Sequence, residues 1–130
     1  MSESGTTEVA EFVAQYVRSL DTLQVLICCL EQQERWWDAV TMARELGISQ
    51  AAARRGLDQL ARGNLLDIRL SDDIRYQYAP GTDTLRAVGD ACLASYHRQP
   101  LQLIQLVRRA SSNRARDFSD AFRIRARDDG

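Results

Sequence analysis

Apolar residues recur at helical spacing through most of the chain. From Glu8, the side chains of Val9, Phe12, Val13, Tyr16 and Val17 fall on one face of a first helix. Leu23, Leu26, Ile27 and Leu30 mark a second, with Asp21 as its expected cap. Glu31 to Arg35 is a polar exit, and Trp36-Trp37 follows it. Asp38 is placed to cap a third helix that ends at Leu46, with Val40, Ala43 and Leu46 facing inward. Gly47 suits the left-handed residue that closes a helix, and Ser49 suits the N-cap of the next. That fourth helix runs to Arg62. Ala53, Leu57 and Leu60 form its buried stripe, and Gln50, Arg54, Arg55, Asp58 and Gln59 form its polar side.

At Leu66 the period changes from helical to two. Leu66-Asp67-Ile68-Arg69-Leu70 and Ile74-Arg75-Tyr76-Gln77-Tyr78 alternate around the polar break Ser71-Asp72-Asp73, which predicts a β-hairpin ended by Pro80-Gly81. Thr82 then caps a helix carrying Leu85, Val88, Cys92 and Tyr96. Pro100 interrupts it, and Leu101, Leu103, Ile104, Leu106 and Val107 resume the helical pattern. Ser111-Ser112-Asn113 predicts a break, after which Phe118 and Phe122 share a helical face. The predicted fold is mainly α with a small β-hairpin. Residues 1–7 are expected to be a frayed, disordered N-terminus, residues 8–110 the folded domain, and residues 111–130 a basic C-terminal helix or tail.

The chain has 130 residues, 45% of them hydrophobic, which suits one domain with a single core. No apolar run approaches the ~20 residues that cross a bilayer, so no membrane association is expected. The opening MSESGTTE lacks the basic and apolar regions of a secretory signal, which makes the cytoplasm the expected compartment. Cys28 and Cys29 are adjacent in an apolar run and Cys92 stands alone, so all three read as buried, reduced thiols rather than metal ligands. The net charge of −1 is unevenly spread. Residues 1–40 carry seven acids against two arginines, and residues 81–130 carry nine arginines against six acids. Every basic residue is arginine, the side chain suited to bidentate contact with phosphate and guanine, although a GC-rich genome would also produce that usage.

Helix, Gly turn, helix and hairpin in that order, carried by LGISQAAARRGLDQLARGNLL, resemble the winged helix-turn-helix of bacterial transcriptional regulators, MarR/ArsR-like in the broad sense. The motif covers residues 38–63 and the wing residues 65–79, about a third of the chain. The flanking N- and C-terminal helices resemble the plan in which terminal helices build a homodimer. The resemblance implies sequence-specific binding of double-stranded DNA, with the fourth helix in the major groove. It places Ser49, Gln50, Ala52, Arg54 and Arg55 against the groove or its phosphates, with Gln59 on the same polar side, and sets Arg69 and Arg75 of the wing near backbone phosphates. Gly56, inside the fourth helix, departs from the regulator pattern. Three features favour a second reading, a protein-interaction winged helix acting as adaptor or inhibitor of another regulator: the neutral-to-acidic charge balance, Asp58 on the polar side of the fourth helix, and the acidic hairpin tip Asp72-Asp73.

The remaining signals are read structurally. One of Trp36 and Trp37 is expected to plug the core, within a short strand pairing with the wing, while its neighbour is partly exposed. Tyr76 and Tyr78 read as core residues of the wing strands, and His97 as solvated. The stripe from Leu85 to Val107 either packs back on the first two helices or forms a symmetric dimer, and the dimer is favoured. Arg108, Arg109, Arg114, Arg116, Arg123, Arg125 and Arg127 make the C-terminal segment a solvated face, a second DNA contact or a docking surface for an acidic protein partner. No phosphate-binding Gly loop, HExxH or nucleophile motif occurs, so no enzyme activity, cofactor or metal is expected.

Overall fold

The computed structural model describes residues 2–112, with the backbone alone over residues 2–7. Its elements are α1 (Ser2–Tyr16), α2 (Leu20–Glu31), α3 (Ala39–Leu46), α4 (Gln50–Arg62), β1 (Leu66–Leu70), β2 (Ile74–Tyr78), α5 (Asp83–Arg98) and α6, a further helix over residues 100–112. The molecule is mainly α, with one antiparallel hairpin between α4 and α5, an order consistent with winged-helix topology. Residues 113–130, and with them Phe118, Phe122 and the last five arginines, lie outside the described residues.

Helix ends follow the cap chemistry of the sequence, with three shifts. Asp38, Ser49 and Thr82 each accept a backbone N–H three residues on, from Thr41, Ala52 and Leu85. Gly47 adopts φ 68°, ψ 35° and closes α3, and Asn64 takes φ 64° in the turn after α4. The cap of α2 is Ser19, not Asp21. The Ser19 hydroxyl accepts from Thr22 N at 3.2 Å, which leaves Asp21 as an acid in the first turn. The backbone of α1 is already helical at Ser2, ahead of the expected start at Glu8. Pro100 ends α5 and opens α6, because a proline lacks the N–H that a helix's first residue does not use. The helix then continues through Ser111 and Ser112, where a break was expected, and Ser111 Oγ donates to the Arg18 carbonyl at 2.9 Å.

One core joins every element. Val13, Val17, Val25, Leu26, Cys29, Trp37, Met42, Ala53, Leu57, Leu60, Leu65 and Cys92 are fully buried within it. In α3 Ala43 is buried and Leu46 half-buried as expected, whereas Val40, expected inside, is 45% exposed and Met42 is fully buried in its stead. An eight-residue helix holding Val40, Met42, Ala43 and Leu46 offers two apolar faces, and periodicity alone does not choose between them. α5 packs against α1 and α2, with Val88 and Cys92 buried, and α6 buries Leu103 and Val107. The stripe from Leu85 to Val107 therefore folds back on the chain itself, although Leu101 stays 72% exposed. The three cysteines are free and buried.

Gly56 is explained by the crossing of α2 and α4, the most extensive contact between two helices. A Cβ at Gly56 would lie 3.1 Å from Val25 Cγ2 and 3.4 Å from the Thr22 backbone. Glycine lets the helices approach, at a cost in helix propensity of up to ~1 kcal/mol. Beside it the buried Thr22 hydroxyl donates to Gln59 Oε1 at 3.0 Å, a polar tie across the same contact.

Candidate nucleic-acid interface

α4 is held on three sides. Gly47 and Ser49 set its start, α2 and α3 pack against its buried side (Ala53, Gly56, Leu57 and Leu60), and β1 of the hairpin packs on it as well. The side left open carries Gln50, Ala51, Arg54 and Arg55, all exposed. Arg54 and Arg55 are about 100° apart on the helix and both point outward. Ser49 is exposed as well, but its hydroxyl is engaged by Ala52 N at 3.0 Å.

Two of the expected site residues fall elsewhere. Ala52 is only 6% exposed and faces the interior, because the first turn of α4 leans on the core. Gln59 is half-buried, and its side-chain oxygen receives Thr22. Both therefore serve the packing of α4 rather than its open face.

Asp58 has a partner that no local pattern announces. The Tyr76 hydroxyl donates to Asp58 Oδ1, joining the middle of β2 to α4. Burial pushes the Tyr76 phenol up to about 12, and the bond to Asp58 adds to the shift. Tyr76 is in turn fixed by its backbone. Its N–H donates to the Trp37 carbonyl and its carbonyl accepts from Trp37 N, both at 2.7 Å. Trp37 thus makes a single-residue bridge to β2 where a short strand pairing with the hairpin was expected. Its ring is fully buried under the Arg35 guanidinium, whose carbon stands 3.8 Å from the ring centroid, while Trp36 is partly exposed. The alternation of β2 marks Tyr76 as inward. A buried phenol needs a partner for its O–H, and that is the one sequence signal that points toward the Asp58 contact.

The hairpin register separates the two arginine pairs. Ile68 faces Tyr76 and Arg69 faces Arg75. Successive side chains leave opposite faces of a sheet. The face of Tyr76 looks toward α4, so Arg69 and Arg75 stand on the other, outer face. There the Arg69 guanidinium lies 5.1 Å from the Trp36 ring centroid. Arg75 pairs with Asp73 at 3.0 Å, with both side chains about half exposed. On the inner face Ile68 and Leu70 run past the body of the molecule, 45% and 76% exposed.

Among the described residues no three His, Cys, Asp or Glu side chains gather as a metal site, and no helix is long and apolar enough to cross a membrane. A groove of about 700 Å³ lies between α1, α5 and α6, lined by Val9, Ala91, Leu103 and Leu106 with Arg98 and Arg109 at its polar positions. No family model, curated protein or solved structure matches this chain.

Proposed function

We propose that the protein is a winged-helix regulator of transcription that binds double-stranded DNA in a sequence-specific way, with α4 in the major groove. The observation that carries this reading is the open side of α4. Gln50, Arg54 and Arg55 are exposed there, while the Asp58 carboxylate is taken up by Tyr76 and withdrawn from any phosphate. Glutamine suits adenine edges and arginine suits guanine edges or phosphates, so this residue set is chemically matched to a groove. Ser49 stands at the helix N-terminus, where backbone N–H groups favour an anion.

The second reading, a winged helix that binds protein, draws on the wing. Its arginines stand on the outer face, away from the α4 side, and Arg75 is already paired with Asp73. Fluorescence anisotropy with random duplex near ~50 mM salt separates the two, because phosphate attraction is strong there. The DNA reading expects binding that weakens as salt rises. Arg54→Ala or Arg55→Ala lowers the salt slope by about 1 if the residue contacts a phosphate, or costs ~1–3 kcal/mol and relaxes base preference if it contacts a guanine. Absence of binding at low salt rejects the DNA reading.

A further inference from the structure

We propose that β1 is a self-complementary edge, and that two copies of the chain join through it by antiparallel β1–β1 pairing centred on Ile68. Among the described residues, β1 pairs with β2 on one edge only, and Trp37 occupies the far edge of β2. The other edge of β1 is open among the described residues.

The hydrogen-bond phase places the right groups on that edge. Tyr76 spends both its N–H and its carbonyl on Trp37, away from β1. Ile68, opposite Tyr76, is therefore in a non-hydrogen-bonded position of the hairpin and directs its own N–H and carbonyl outward. The Ile68 N–H meets only the neighbouring Asp67 Oδ1, at 3.1 Å. Leu66 and Leu70 share this phase. The bonds Ala79 N to the Leu65 carbonyl and Ser71 N to the Asp73 carbonyl hold the alternate one. A second β1 set antiparallel about Ile68 exchanges N–H···O bonds at Ile68 and at both Leu66–Leu70 pairs.

The side chains select the same register. With Ile68 opposite Ile68 of the second copy, Asp67 stands opposite Arg69 and Arg69 opposite Asp67, two ion pairs on the outer face. Sliding by two residues sets Asp67 against Asp67 or Arg69 against Arg69. Sliding by one turns an apolar face against a charged one. Opposite charges directly across a sheet stabilise it and like charges do the reverse. On the inner face the pairing covers Ile68 and Leu70, two of the large apolar side chains that the monomer leaves exposed. Pairing frees Asp67 from its local bond and turns Arg69 from Trp36 toward the second copy. The resulting interface is isologous and has two-fold symmetry. It is small, and the expected affinity is on the order of micromolar.

Sedimentation of the full chain over a micromolar concentration series tests this, with circular dichroism to check the fold of each variant. The wild type is expected to dimerise with rising concentration. Asp67→Arg and Arg69→Asp each bring like charges face to face and weaken the dimer by about tenfold or more. The double variant D67R/R69D restores it. Leu70→Lys, at a 76% exposed position, weakens it without touching the charge pair. A wild type that stays monomeric, a dimer indifferent to the single swaps, or a double variant that remains monomeric each overturns the proposal. None of these results bears on duplex binding by α4, so the two readings fail separately.

Discussion

The two sides of α4 obey different rules. The inner side carries Ala53, Gly56, Leu57 and Leu60, buried against α2 and the sheet, where a single methyl at Gly56 would press on Val25. The outer side carries Gln50, Ala51, Arg54 and Arg55, which touch little of their own chain and are open to a ligand. Stability resides on the inner side, the proposed duplex contact uses the outer one, and Asp58 with Tyr76 lies on the seam between them. Substitutions should therefore sort by side: inner changes alter unfolding, outer changes alter binding, and a change at the seam alters both.

The largest effect is expected inside. Leu57→Ala removes a fully buried side chain from the α4 stripe and should lower unfolding free energy by about 2–5 kcal/mol in a denaturant titration. Arg55→Ala, two residues away and exposed, should stay within about 0.5 kcal/mol of wild type in the same titration. Equal losses at both positions would abolish the division between the two sides.

The seam comes next. Tyr76→Phe leaves the half-buried Asp58 carboxylate without its donor, which should cost about 1–3 kcal/mol. It should also weaken duplex binding, because the freed carboxylate then repels phosphate. Burial of the two tyrosines of β2 sets an alkaline limit, to which the Asp58 bond adds at Tyr76. Tyr76 and Tyr78 ionise near 10 in the unfolded chain and are both pushed up to about 12 in the folded one. Above pH 10 the unfolded state loses these protons first, so stability that is full below pH 10 drains away as pH rises toward about 12. Unfolding midpoints measured across that interval should fall more gently in Tyr76→Phe than in wild type.

How much of this was legible in the sequence follows from the range of each interaction. Caps and turns act over three or four residues, so Asp38, Gly47, Ser49, Thr82 and the hairpin break are read correctly from neighbours alone. Ser19 and Asp21, two residues apart, are equally good cap types, and only the backbone decides between them. Gly56 looks like a flaw when α4 is considered by itself, and becomes a requirement once α2 is laid across it. The candidate site divides likewise. Helical spacing alone turns Arg54 and Arg55 outward, but Gln59 and Asp58 sit on the same polar arc and are claimed by Thr22 and Tyr76, distant in sequence. Nor does helical spacing reveal that Ala52 tilts into the core or that Arg69 and Arg75 stand on the sheet's far face.

The smallest effect sharpens the contrast most. Tyr78 lies two residues from Tyr76 on the same face of β2, is 7% exposed, and its hydroxyl has no hydrogen-bond partner among the described residues. Tyr78→Phe deletes an unpaired buried polar atom, so stability should hold or rise, within about 1 kcal/mol, whereas the same change at Tyr76 is costly. Gly89 provides the control, because a Cβ there would collide with the Tyr78 hydroxyl. Gly89→Ala should therefore destabilise the wild type yet be better tolerated in Tyr78→Phe, and the double-mutant cycle should give a favourable coupling. If Tyr78→Phe instead loses as much as Tyr76→Phe, the Tyr78 hydroxyl is bonded in solution and the hairpin is held at both tyrosines rather than at the α4 seam alone.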